Sequence, residues 1–190
     1  MNKKKPKILL HTCCAPCTTY VHPEIKKEGF DVVGYFYNPN IHPFKEFEQR
    51  LETLKLYAGH AGLDLVCNDH YELESHLRLT LGKKPEERCL SCYKLRLFSA
   101  AAYAKQKGMD FFTTTLLISP YQNHDAIIEA GMEMSRIHGV PFYYKDFRIG
   151  FYTSKKIAKE MNLYMQKYCG CIFSEKERFA RSKKNSYTSA

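Results

Sequence analysis

Seven of the eight cysteines in this 190-residue chain fall into three tight groups: Cys13, Cys14 and Cys17; Cys89 and Cys92; Cys169 and Cys171. Such clustering in a chain without secretory features points to metal or redox chemistry rather than to structural disulfides. A CxxC pair combined with a second cysteine group some 75 residues earlier suits either a zinc site or an iron–sulfur cluster. Adjacent Cys13 and Cys14 diverge from a single tetrahedral ion but can each reach a different iron of a cuboidal cluster, whereas the spacing Cys14-x-x-Cys17 keeps zinc open. Cys169-Gly170-Cys171 is a third kind of motif. It can close a small strained disulfide ring, the labile sort that serves redox turnover, or it can add two metal ligands. Cys67 stands alone in an apolar stretch and reads as a small core residue.

These sulfurs need a scaffold, and the hydrophobic pattern supplies one. Short apolar runs at 7–14, 30–37, 63–67, 109–118 and 141–147 read as strands. Helical patterns at about 15–28, 44–58, 85–107, 124–138 and 153–167 alternate with them. This order predicts an α/β fold, a parallel sheet of about five strands covered by helices on both faces, with ligand sites beyond the strands' carboxyl ends. Cys13 to Cys17 fall just there, after the first strand. Cys89 and Cys92 fall near the head of the long 85–107 helix, where the positive end of its dipole is expected to favour their thiolates.

With 44% hydrophobic and 26% charged residues, the composition excludes a disordered, collagenous or coiled-coil chain. No apolar run approaches 18 residues, so no membrane span or signal segment is expected and the cytoplasm is the default location. The formal net charge is +9. Lys3, Lys4, Lys5 and Lys7 carry four of these charges and residues 174–190 another three, which leaves +2 for residues 8–173. Basic ends can grip phosphates or act only as solvated tails. One domain over 1–190 is expected, with a flexible tail at 180–190.

Taken together, HTCCAPC at 11–17, FYNPNIHP at 36–43, RCLSCYKLR at 88–96, TTTLLISPYQNHD at 113–125 and YCGCIFS at 168–174 resemble the cobalamin-independent epoxyqueuosine reductases, the QueH family. The resemblance runs from about residue 7 to 179. It implies a Rossmann-like HUP domain and reduction of the epoxide of epoxyqueuosine in the tRNA anticodon to queuosine. It also implies that Cys13, Cys14, Cys89 and Cys92 hold a 4Fe-4S cluster, that Cys169 and Cys171 form a redox-active pair, and that an additional iron sits beside the cluster, with Cys17 as its candidate ligand. ATP-using HUP proteins carry a glycine-rich phosphate loop after the first strand. Here HTCCAPC occupies that place, so ATP is not expected.

Removing an epoxide oxygen as water takes two electrons and two protons, which an iron–sulfur cluster, a Lewis-acidic iron and a dithiol can provide between them. A modified anticodon base must be splayed out to react, and aromatic and polar groups near the cysteines are candidates to hold it. These are Tyr37, Asn38, Asn40, Tyr93, Arg96, Tyr121, Asn123 and His124, partnered by tRNA and by an electron donor that the sequence does not identify. Each has a plainer reading: Tyr93 as core, Asn38 and Asn40 as turn residues, His124 as part of a helix cap. His11 reads either as a proton donor or as a packed imidazole. Two rival functions remain at this point, an ATP-dependent thiolation-type tRNA-modifying enzyme of the same superfamily and a non-catalytic zinc-stabilised RNA-binding protein.

Overall fold

The computed structural model describes residues 5–184, with side chains to residue 180. Met1 to Lys4, and so the lysines at 3 and 4, lie outside the described residues, as do 185–190. The elements run β1 (Lys7–His11), α1 (Ala15–Lys27), β2 (Asp31–Phe36), α2 (Phe44–Ala61), β3 (Asp64–Cys67), α3 (Leu73–Thr80), α4 (Pro85–Gln106), β4 (Phe111–Thr114), α5 (His124–His138), α6 (Phe151–Glu160) and α7 (Ile172–Lys184), with 3₁₀ turns at Thr115–Ile118 and Arg148–Gly150.

The sheet has four strands in the order β3-β2-β1-β4, and every pairing is parallel, with Leu9 opposite Val33 on one side and Phe112 on the other. Ile8, Leu9 and Leu10 in the central strand are fully buried, as a strand covered on both faces requires. Alternation along β2 shows both covers. Tyr35 stacks on Tyr103 and bonds Ser99 of α4, while the next residue, Phe36, meets Phe47 of α2 on the opposite face.

The predicted fifth strand at 141–147 is reduced to one bridge, Phe112 to Phe142. The reason lies in its partner. After Thr114, β4 turns into the 3₁₀ segment, so only the bonds from Phe112 N–H to Pro141 and from Tyr143 N–H to Phe112 can form. Gly131 on α5 lets the Phe142 ring pack there, since a Cβ would lie 2.5 Å from it.

Helix boundaries follow local chemistry. Pro85 opens α4 and Glu87 accepts the Lys84 N–H at 3.1 Å. Gly62 and Gly139 end α2 and α5 in the left-handed conformation. The last predicted helix is shifted: α6 spans Phe151–Glu160 rather than 153–167. Two helices, α3 and α7, were not anticipated, and α7 runs through residues 180–184, where the sequence suggested the start of a tail. Among the described residues no helix is long and apolar enough to cross a membrane.

Candidate active site

β1 and β4 end side by side, and the sheet's chain order changes direction between them, the place at which open α/β sheets bind their ligands. His11, the last residue of β1, is fully buried. Its Nδ1 lies 2.8 Å from the Thr114 hydroxyl and its Nε2 3.1 Å from the Tyr37 carbonyl. Burial, with the nearby Arg96 charge, lowers its pKa to about 3. It is therefore a neutral, packed imidazole at physiological pH, not an imidazolium acid.

The chain then turns through Cys13 and Cys14 into α1, whose first turn carries Cys17. The three sulfurs lie within 4.8 Å of one another and could hold a metal ion. Cys13 and Cys14 Sγ are 3.6 Å apart. The Thr115 hydroxyl donates to Cys13 at 3.2 Å, and the Gln166 amide donates to Cys14 at 2.8 Å. Hydrogen bonds from the neighbouring thiols hold Cys13 well below the ordinary thiol range, whereas burial lifts Cys14 to about 12 and the same coupling to Cys13 and Cys14 lifts Cys17. The trio thus gives up one proton readily and holds the others, so metal binding here must release protons.

Cys89 and Cys92 sit on one face of α4 beside the third group. Their thiols feel Cys169 and Cys171, and α7 is docked onto the head of α4 by Arg88, which lies 4.3 Å over the Phe173 ring and 3.5 Å from Glu177. The expected help from the helix dipole does not decide their protonation. Burial outweighs it and lifts Cys89 to about 11 and Cys92 to about 12. All eight cysteines are free, and Cys169 is exposed, donating to the Ser174 hydroxyl at 2.9 Å. Cys67 packs at the margin of the core.

Two buried arginines connect the groups. Arg96 on α4, 3% exposed, reaches Asn38 Oδ1 at 2.7 Å and Cys92 Sγ at 3.9 Å, and its charge is felt at Cys13. Among the described residues it has no carboxylate partner. A buried cation left that way is costly, and anionic sulfur is the charge available to balance it. Arg50 on α2, 2% exposed, is bound by Glu46 and donates at 2.9 Å to the carbonyls of both Tyr168 and Cys169. Its charge also reaches Cys14 and Cys13. Gly170 makes this approach possible, with φ of +118° and a would-be Cβ only 2.9 Å from Ile41 and 3.1 Å from Arg50.

The other predicted site residues divide. Asn38 is consumed by Arg96 and the Thr12 carbonyl. Asn40 is buried against Gly170, with its Oδ1 unpartnered. Tyr37 and Tyr93 are buried; Tyr93 bonds Gln122 at 2.6 Å and feels the Cys89 and Cys92 sulfurs. Asn123 is the N-cap of α5, and His124 is buried behind it. Tyr121 projects into solvent.

Residues 8–177 match the family profile described as Epoxyqueuosine reductase QueH. The chain belongs to the QueH family. The QueH protein of Dehalococcoides mccartyi is 39% identical over 176 residues, covering 93% of this chain and 96% of that one. The Thermotoga maritima protein is 35% identical over 181 residues, covering 90% and 91%. Among solved structures, the U34-tRNA thiolase NcsA of Methanococcus maripaludis, described with its [4Fe-4S] cluster, aligns with a TM-score of 0.56 at 15% identity over 90% of this chain and 62% of that chain. A predicted subunit of a tRNA methyltransferase from Methanocaldococcus jannaschii aligns at 0.53 and 13%, covering 82% and 75%. Both likenesses are of fold, and they agree with the expected α/β arrangement of a parallel sheet covered by helices, with four strands in place of about five.

A set of buried histidines carries no motif or spacing that marks it in the sequence. His42 Nε2 lies 3.3 Å from His76 Nδ1 and its Nδ1 lies 3.1 Å from the Tyr71 hydroxyl, while His22 meets Tyr57 at 3.1 Å. Burial lowers all three to about 4. In the unfolded chain they titrate near 6.5, so the stability they protect is fully present above that value and is lost as the pH falls toward 4. Each contributes a slope of up to about 1.4 kcal/mol per pH unit. Urea midpoints are therefore expected to drop steeply from pH 6.5 to 4.5, and a flat profile over that window would contradict the burial of neutral imidazoles.

Proposed function

We propose that this chain reduces the epoxide of epoxyqueuosine in the tRNA anticodon to the cyclopentene of queuosine, in the cytoplasm and without ATP, within a single domain. The observation that supports this most strongly is the trio Cys13, Cys14 and Cys17, with sulfurs within 4.8 Å of one another at the carboxyl end of β1, in a QueH chain whose buried Arg96 and Arg50 link that trio to Cys92 and to the Cys169 loop.

The donor set fits an iron–sulfur cofactor. Sulfurs predominate, several are buried, and an otherwise unbalanced Arg96 faces them. Cys13, Cys14, Cys89 and Cys92 are the ligands we assign to a 4Fe-4S cluster, and Cys17 is our candidate for an adjacent iron. When bound, such a group supplies single electrons and a Lewis-acidic iron for the epoxide oxygen.

The protein's own groups account for the remaining requirements. Oxidation of the Cys169/Cys171 dithiol to a disulfide releases two electrons and two protons, which balances conversion of an epoxide to an alkene and water. The exposed Cys169 lets an external reductant restore the pair. Arg50 holds that loop against the buried sulfurs, and Arg96 fixes Asn38 and Cys92. Tyr37, Asn40 and Tyr93, all buried, are our candidates to meet a splayed base once it enters the site.

Anaerobically purified protein should contain about four irons or more per chain with matching sulfide, and should convert epoxyqueuosine-bearing tRNA to queuosine with dithionite, read by nucleoside analysis. Zinc without iron or sulfide would instead favour a structural RNA-binding protein. Release of AMP or pyrophosphate from ATP with tRNA would favour a thiolation-type enzyme.

A further inference from the structure

The loop after the 3₁₀ segment Thr115–Ile118 and α6 together build an aromatic and basic face on the surface. Tyr121 is 79% exposed, Tyr152 78% and Ile149 88%. The rings are set edge to face: Tyr121 lies 5.6 Å from Phe151, and Phe151 lies 5.4 Å from Tyr152. Lys155 is 4.2 Å over the Phe151 ring. Lys155 and Lys159 make no ion pair among the described residues, and Lys156 has only a 3.9 Å contact to Glu160. Between residues 144 and 160 the chain carries five basic side chains against two acidic ones, within a stretch of sequence, residues 8–173, whose net charge is only +2.

This face leads to the sulfurs. Gly150 packs on Tyr20, the Thr19 hydroxyl bonds the Ser154 carbonyl at 3.2 Å, and Gln166 donates to Cys14. The 150–166 segment thus lies along α1, meeting Tyr20 and Thr19 in its first half through Gly150 and α6, and reaches Cys14 at the head of α1 through Gln166. On the other side, Tyr121 follows directly on the segment whose Thr115 bonds Cys13.

We infer that this face is the docking surface for the anticodon arm of the tRNA, with unpaired bases stacked on Tyr121 and Tyr152 and phosphates held by Lys155, Lys156 and Lys159. Exposed rings flanked by unpaired cations are what a single-stranded loop requires, because every base offers a π-face and every linkage a charge. A partner reached through hydrophobic burial alone would have no use for the lysines. The inference rests on the reductase reading for the identity of the RNA, but not for the chemistry of the surface.

The test measures binding of a fluorescein-labelled anticodon stem-loop to the full chain across a salt series. Lys155→Glu/Lys156→Glu is expected to weaken binding by about tenfold or more and to flatten the salt dependence by roughly 0.7–0.9 log units per lost phosphate contact. Tyr152→Ala is expected to lose about tenfold with an unchanged salt slope. Lys105→Glu/Lys107→Glu, the same charge change at the far end of α4, should stay within about twofold of wild type. Melting temperatures of all variants should stay well above the assay temperature, since every altered side chain is at the surface and the lost contacts are few, those of Lys155 with Phe151 and Lys107 with Tyr103 among them. Equal affinity in wild type and the α6 variants, an equal loss in the α4 control, or binding to anionic lipid vesicles but not to the stem-loop would each overturn the inference. Conversion of epoxyqueuosine by wild-type protein is scored separately, so failure of the reductase assignment is distinguishable from failure of the docking face.

Discussion

Replacing Cys169 or Cys171 by Ser is expected to abolish multiple turnover of epoxyqueuosine reduction while leaving the visible absorption of the reconstituted protein unchanged. Serine preserves size and the hydrogen bond to Ser174 but cannot form the disulfide that would store two electrons. Cys169 is exposed and Cys171 half-buried, so neither change opens a cavity, and the melting temperature should hold. A variant that binds its iron normally and still turns over repeatedly would remove the pair from electron transfer and leave it a structural or ligating role. A variant that bleaches on reconstitution would make these sulfurs ligands, the alternative that the spacing of the motif alone leaves open.

Arg50→Met is expected to be the most damaging substitution outside the cysteines. It leaves the half-buried Glu46 with the Tyr164 hydroxyl but no cation beside it, and leaves the Tyr168 and Cys169 carbonyls without their donor. Removing one partner of a buried pair costs about 3–5 kcal/mol, which in a chain of this size lowers the melting temperature by roughly 2–4 °C per kcal/mol. Arg50→Lys keeps the charge but loses the fork that reaches three acceptors at once, so a smaller loss of about 1–3 kcal/mol is expected. Because Arg50 anchors the redox loop, both changes should also speed alkylation of Cys169 and Cys171 relative to Cys89 at matched folded fraction. Adding Glu46→Gln to Arg50→Met should cost less than the two changes summed. Wild-type alkylation rates in a folded Arg50→Met protein would refute the anchoring role.

Much of this was legible in the sequence because the signals were local. The first strand, expected over 7–14 and found over 7–11, and the long helix, expected over 85–107 and found over 85–106, announce themselves through apolar runs, a leading proline and acidic first turn, and lysines at the tail. The three cysteine groups were visible as spacing. What escaped depended on contacts between distant segments. Arg50 looks like a lone charge in a helical pattern, yet it sits on the inward face with Phe47, Leu51 and Leu54. A charge on an apolar stripe was the available clue. The histidines at 42 and 76 meet only after folding, and α7 carries a polar sequence whose helix is held by Arg88 against Phe173. The 141–147 segment has the composition of a strand but lacks a neighbour long enough to pair with it. Asn38 and Asn123, read as candidate contacts with substrate, are occupied in bonding Arg96 and capping α5.

The sulfurs around Arg50 and Arg96 come from residues 13–17, 89–92 and 169–171, almost the full span of the polypeptide. During synthesis the first group emerges long before the last, and its thiols have to wait as an open, oxidisable trio. The ligand sulfurs are all present once residue 92 has left the ribosome, but the dithiol at 169 and 171 follows only with the last helix, which settles on α4. A prematurely terminated product could thus gather its iron ligands and still lack the pair that completes the site.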